Sequence, residues 1–277
     1  MNVFKHSIIA LTVLTAAGCQ KDLTAENQAS AVLSSVCQLC DYRYKNLSNL
    51  KWVNADLQGA YLYNVNMANS DFTSSNLRSA NLTLGNLTRI DLSKSSLQNA
   101  TFENATMVGA SLRLANASQA NFKSANLEYS ELSGAIMTTA DFSNAVLDYS
   151  FASEAYLVSV NMTGASLKNI DLQGANLEGA NLSGADLSNA NLKMANLRHA
   201  NLSGANLSKA TLNFANLISA NLDGAILKNA VIIGANLSQA NLNRADFLNA
   251  KMSSLIDKTA NYCDARLPDG TRSETCD

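Results

Sequence analysis

The residues best suited to chemistry in this chain are its five cysteines, Cys19, Cys37, Cys40, Cys263 and Cys276. Cys37-Gln38-Leu39-Cys40 has the spacing of a thiol–disulfide redox centre, and the same spacing closes as a structural bridge. Redox use expects the motif to open a helix inside a βαβ unit, and the surrounding sequence offers no such pattern. A zinc site needs four ligands, but the only histidines are His6 and His199, far from the cysteines in sequence. Carboxylates such as Glu128, Glu131, Asp148 and Glu178 form no dense pair of the acid/base kind. No catalytic, metal or cofactor set emerges, so the sequence predicts a non-enzyme without a cofactor.

The ends of the chain say where those cysteines work. Residues 1–18 carry Lys5, an apolar run from Ile8 to Leu14, and small residues before Cys19. This is the layout of a secretory signal, too short for a lasting membrane span. Leu14-Thr15-Ala16-Ala17-Gly18-Cys19 resembles a bacterial lipobox. The resemblance implies that Cys19 becomes a lipidated N-terminus tethered to a membrane, in the bacterial cell envelope. Gln20 after the cysteine points to the periplasmic face of the outer membrane if the source is Gram-negative. Export places the remaining thiols in an oxidising compartment, where disulfides persist. Residues 19–36 read as a polar tether with room for a short cap helix. Net charge is −2, and −3 once Lys5 is removed with the signal, which is no nucleic-acid-binding balance.

The element that must position everything else is a five-residue period. From Leu57 to Met252 there are forty consecutive positions, five apart, of which twenty-seven are Leu and most others Phe or Met. Two residues before each of these centres, thirty of the forty are Ala. Asn or Asp usually sits just before the centre, and Ser, Gly, Lys, Gln, Glu or Asn just after it. Five residues of helix turn through about 500°, which scatters the leucines around the axis. A strand alternates with period two and throws them to opposite faces. A coil that turns a corner every five residues puts all of them inside, and a sustained fixed period is the mark of a solenoid.

This pattern resembles the A(D/N)LXX repeat of pentapeptide-repeat proteins over about three quarters of the chain. The resemblance implies an all-β fold: a right-handed quadrilateral parallel β-helix of about ten coils, each built from four repeats, with short caps at both ends. It implies that the centre and the small residue point inward and the other three positions outward. The expected organisation is an N-terminal cap with irregular repeats over 37–56, a solenoid over 57–254 and a C-terminal cap over 255–277. Phe102, Phe122 and Phe142 are twenty residues apart and would stack in one column of a four-sided coil. At about 4.8 Å per coil, ten coils make a rod about 50 Å long. Cysteines at its two ends cannot meet, so Cys37–Cys40 and Cys263–Cys276 are the favoured disulfides. The tail around Leu267-Pro268-Asp269-Gly270 is similar to a C-terminal segment of some exported members, with good turn chemistry of its own.

A filled coil offers no pocket, so function must lie on the outer surface. Tyr129 and Tyr149 are expected to stack there, with Phe151 and Tyr156 round the following corners and Ile136, Val146 and Val158 at the same level. Met194 and Phe214 form a second apolar group beside Ile233. Such clusters mark contact surfaces. The sequence therefore predicts a tethered scaffold that binds an unidentified envelope protein and no nucleic acid, with a homodimer left open. Inhibition by nucleic-acid mimicry is a competing class, as is thiol redox chemistry through Cys37 and Cys40.

Overall fold

The computed structural model describes residues 37–252 and 259–273. Each repeat places its Asn/Asp position in a parallel bridge with the residue twenty further on, from Asp41↔Tyr61 to Asp246↔Arg266. The chain is a right-handed quadrilateral β-helix in which four repeats complete one coil. The backbone bonds explain why each repeat needs five residues. In Asp56-Leu57-Gln58-Gly59-Ala60 the centre N–H donates up to the next coil, Leu57 to Asn76 O at 2.7 Å. The Asn76 N–H donates back down to Ala55 O at 2.8 Å, and the Gly59 N–H donates up to Arg78 O at 2.7 Å. The Ala60 N–H then closes the corner on Leu57 O at 3.0 Å. Among the described residues, sides this short form regular strands only at β1, Val231–Ile232, and β2, Lys251–Met252, which pair in parallel.

The interior is filled as the period requires. Leu177, Leu182, Leu187 and Leu192, one from each side of a coil, are all fully buried, as are Ala175, Ala180 and Ala185. Phe102, Phe122 and Phe142 stack with ring centroids 4.7 and 4.5 Å apart and planes within 6°. Their offset confirms a twenty-residue coil.

Two features of the turns go beyond the hydrophobic pattern. The second residue after the centre has positive φ, near +60°, whatever its type: Gly179, Asn189, Met194 and His199 all adopt it. Left-handed backbone disfavours a β-carbon, and Gly and Asn tolerate it best, which accounts for their frequency there. The Asn/Asp before the centre serves two purposes. Its Oδ1 accepts the N–H two residues on, as Asn181 does from Ser183 at 3.2 Å. Asparagine Nδ2 also donates to the coil below, so that Asn201, Asn221 and Asn241 form a ladder on Asn181 at 3.2, 3.1 and 3.0 Å. Aspartate lacks that donor, and Asp141, Asp171 and Asp186 each lie beneath an asparagine that supplies it: Asn161, Asn191 and Asn206.

The ends carry the repeat further than expected. The irregular repeats over 37–56 continue the register of 57–252. Cys37, Tyr42, Leu47 and Trp52 occupy centre positions of a first coil, with Tyr42 N donating to Tyr61 O at 2.8 Å and Leu47 N to Asn66 O at 2.6 Å. Leu47 and Trp52 carry the period backwards in the sequence, whereas Cys37 and Tyr42 hide it from a reading based on leucine. The C-terminal segment is likewise more than a cap. Asn261 and Arg266 extend the bridges, and Tyr262 is a buried centre. The chain then reverses at Leu267–Thr271, and Arg266 pairs with Arg272 in the one antiparallel bridge among the described residues. Leu267 N donates to Thr271 O at 2.7 Å and Ser273 N to Ala265 O at 2.8 Å. An antiparallel hook of this kind occupies an edge that would otherwise accept another strand. The signal over 1–18, the tether over 19–36, Cys19 and Cys276 lie outside the described residues.

Replacing Leu187 by Ala should cost about 2–5 kcal/mol, since no neighbouring coil can move into the cavity. Ser188→Ala, which keeps the backbone bond to Asp186, should stay within about 0.5 kcal/mol. Equilibrium urea unfolding followed by circular dichroism measures both, and equal effects would contradict the assigned interior.

Candidate interaction surface

The positive-φ residue projects from each corner, and there an apolar side chain has no interior to enter. Tyr129 and Tyr149 occupy successive levels of one such corner, at φ +59° and +61°. Their rings stack 5.3 Å apart at 9°, and both remain about half exposed. Phe151 is exposed on the next side, in the column Glu131–Phe151–Asp171. Ile136 and Tyr156 are bridged neighbours on the side after that, also exposed. Val146 and Val158 are only half-buried and contribute less than their sequence position suggests. These groups share two adjoining coils and wrap around successive corners.

The second group is built differently. Met194 and Phe214 are both 61% exposed at positive φ, in one column. A β-carbon on Gly234, one coil further on, would lie 2.7 Å from the Phe214 ring. Phe214 therefore covers the glycine backbone of its own chain, beside half-exposed Ile233. Leu114 covers Gly134 and Leu39 covers Gly59 in the same manner. The sequence reading missed the exposed Leu39, Tyr44, Tyr61, Leu84, Leu114 and Ile226. An apolar residue two places after a centre was the available signal for Leu39, Tyr44, Leu84 and Leu114.

The cysteines are structural in setting. Cys37 and Cys40 form a disulfide with Cα atoms 5.4 Å apart. Cys37 fills a centre position and Cys40 the following small position, so the pair lies within the first coil rather than flanking the repeats. Both are buried, and the Tyr42 hydroxyl donates to Cys37 Sγ at 3.2 Å. Cys263, in a turn of the last coil, is also disulfide-bonded; its expected partner Cys276 lies outside the described residues. His199 is outward and accepts from Arg198 Nε at 3.1 Å. Among the described residues no three His, Cys, Asp or Glu side chains converge as metal ligands. An open cleft at the C-terminal end is lined by Arg244, Asp246, Asp264, Arg266, Gly270 and Arg272. Its guanidinium groups are matched to carboxylates: Arg244 to Asp223, Arg266 to Asp246 at 3.8 Å and Arg272 to Asp264 at 2.7 Å. At the other end, the Arg43 side chain hydrogen-bonds Asp41 and holds that carboxyl down at about 2.

Geometry thus defines a filled solenoid whose working surface is its outer wall. The chain belongs to the pentapeptide-repeat family: the family described as pentapeptide repeats matches in overlapping segments from residue 46 to residue 254. Among solved structures it is similar to HetL, a pentapeptide repeat protein involved in heterocyst differentiation regulation from the cyanobacterium Nostoc sp. Strain PCC 7120. Identity is 29%, coverage 85% of this chain and 92% of that one, and the TM-score 0.33. It is also similar to QnrB1, a plasmid-mediated fluoroquinolone resistance protein, at 20% identity over 65% of this chain and 85% of that one, TM-score 0.29. A third is a pentapeptide repeat protein of the Arabidopsis thaliana thylakoid lumen, at 28% identity over 42% of this chain and 63% of that one, TM-score 0.18. Comparison with curated proteins finds no significant match.

The Phe214–Gly234 contact makes a specific prediction. Gly184 and Gly234 both have positive φ, but nothing lies within 4 Å of a β-carbon at Gly184. Gly234→Ala should therefore lower stability by about 1–3 kcal/mol more than Gly184→Ala. In a Phe214→Ala background the difference should vanish, as a double-mutant cycle by urea unfolding would show.

Proposed function

We propose that this protein is a non-enzymatic scaffold of the bacterial cell envelope, held to a membrane by lipid on Cys19, whose wall around Tyr129 and Tyr149 docks another protein. The observation that carries the docking reading is the exposed tyrosine stack on left-handed backbone. An aromatic side chain there forfeits the ease that Gly or Asn would bring and buries nothing in the core. A β-helix bonded coil to coil holds such groups in fixed register, and rigid presentation of aromatic anchors lowers the entropy lost on association. The anchoring part rests on the lipobox-like sequence before Cys19.

Two experiments test the two parts. A photo-crosslinking amino acid replacing Tyr149 in intact cells should yield one discrete adduct, while the same probe at Ser203, on a different side and seven coils from the exposed Tyr61 of that side, should yield none. No adduct at position 149, or the same adducts from both sites, would contradict the docking surface. Separately, the full-length protein should sediment with membranes and the Cys19→Ser variant should not. Sedimentation of both would contradict lipid attachment at that residue.

A further inference from the structure

We propose that the partner of this wall presents arginine or lysine side chains: the surface around Tyr129, Tyr149 and Phe151 is a receptor for a cationic protein segment. This rests on the docking reading above and adds the chemistry of what docks. The aromatic rings are interleaved with carboxylates in a way that only the coil makes visible. Phe151 is bridged to Glu131 in one neighbouring coil and to Asp171 in the other, so its exposed ring lies between two acidic residues. Glu128 and Asp148 immediately precede the two stacked tyrosines and share their corner. Exposed Glu154 follows at the next corner, its Cγ 3.7 Å from where a β-carbon on Gly174 would stand.

Among the described residues one cation, Lys168, pairs with a carboxylate of this surface. The sequence has no Lys or Arg between Lys123 and Lys168. Lys168 is placed between Asp148 and Asp186, 3.9 Å from each. Among the described residues that is the only ion pair any of these five carboxylates makes. Their other partners are neutral: Glu131 accepts from Ser133 N at 2.8 Å, Glu128 from Asn126 at 3.1 Å, and Asp171 from Gln173 N at 3.0 Å and Asn191 at 2.8 Å. Asp148 accepts from Ser166 at 2.6 Å and Lys168 N at 3.0 Å.

This decides the class of partner. An apolar partner covering the rings would also dehydrate the surrounding carboxylates and leave them without counter-charge, which is unfavourable. A nucleic acid or an acidic surface would be repelled. A guanidinium or ammonium gains twice, from the negative π face of a Tyr or Phe ring and from the adjoining carboxylate. Arginine suits the site best, since its planar group stacks on an aromatic face while its edge reaches a carboxylate.

The test uses the full chain and two fluorescein-labelled peptides, one alternating arginine with serine and one with glutamine in place of arginine. Fluorescence anisotropy should show binding of the arginine peptide, weakening as salt rises, and at least about tenfold weaker binding of the glutamine peptide. Glu131→Gln combined with Glu154→Gln should weaken the arginine peptide about tenfold while keeping the acceptor for Ser133 N. Tyr149→Asn should also weaken it and at the same time raise the thermal midpoint, because Asn is at ease at positive φ. Glu103→Gln, on a different side, should change nothing. Failure of the arginine peptide to bind, equal binding of both peptides, or unchanged binding by the Glu131/Glu154 variant would overturn the proposal. A discrete crosslink from position 149 alongside such a result would leave the docking surface standing with a partner of other chemistry.

Discussion

The constraint on which this structure depends is the width of the coil interior. Each side can place one large apolar residue and one small one inside, and no more. Leu187 and Ala185 satisfy this on one side, Leu192 and Ala190 on the next, all buried. Because the interior is filled, the described coils leave little room for a pocket, and most chemical variety points outward, with buried serines such as Ser75 and Ser95 the polar exceptions inside. The same constraint also sets the turn. Bringing the chain round a corner in five residues requires left-handed backbone two places after each centre, and that residue projects furthest into solvent.

Hydrogen bonding turns these narrow coils into a stiff object. The centre N–H reaches up, the Asn/Asp N–H reaches down, and side-chain amides repeat the connection outside the backbone, as along Asn181 to Asn241. Nearly every contact is between neighbouring coils, so stability is approximately a sum over coils with edges that need protection. The antiparallel return at Arg266–Arg272 gives that protection at one end. For function, the consequence is geometric. Groups twenty residues apart in sequence become neighbours about 4.8 Å apart, held in register without any adaptation of their own.

That rule separates what was legible in the sequence from what was not. The interior was legible because one residue type dominates it, and the Phe102–Phe122–Phe142 stack followed from spacing alone. The Tyr129–Tyr149 stack was legible for the same reason. The start of the coil was legible only as far back as Leu47 and Trp52, because Cys37 and Tyr42 replace leucine at the two centres before them. The left-handed position was obscured because Lys, Arg, Tyr and Met occupy it alongside Gly and Asn. The carboxylate setting of Phe151 was the least visible feature. Glu131 and Asp171 are each twenty residues from Phe151, and weighed as acid/base candidates in a mixed sequence they show no link to that ring. The Asn preference before each centre was plain, but its cause, a donor that Asp lacks, needed the coil above and below.

The most direct measurement is the distance between two spin labels placed at Arg78 and Ile218, outward positions in one column separated by seven coils of twenty residues. Double electron–electron resonance should give about 34 Å, the rise of seven parallel coils. A distance near 45 Å, as a fifteen-residue coil would produce, or a broad distribution without a defined maximum, would contradict the filled square coil and with it the placement of every outward group.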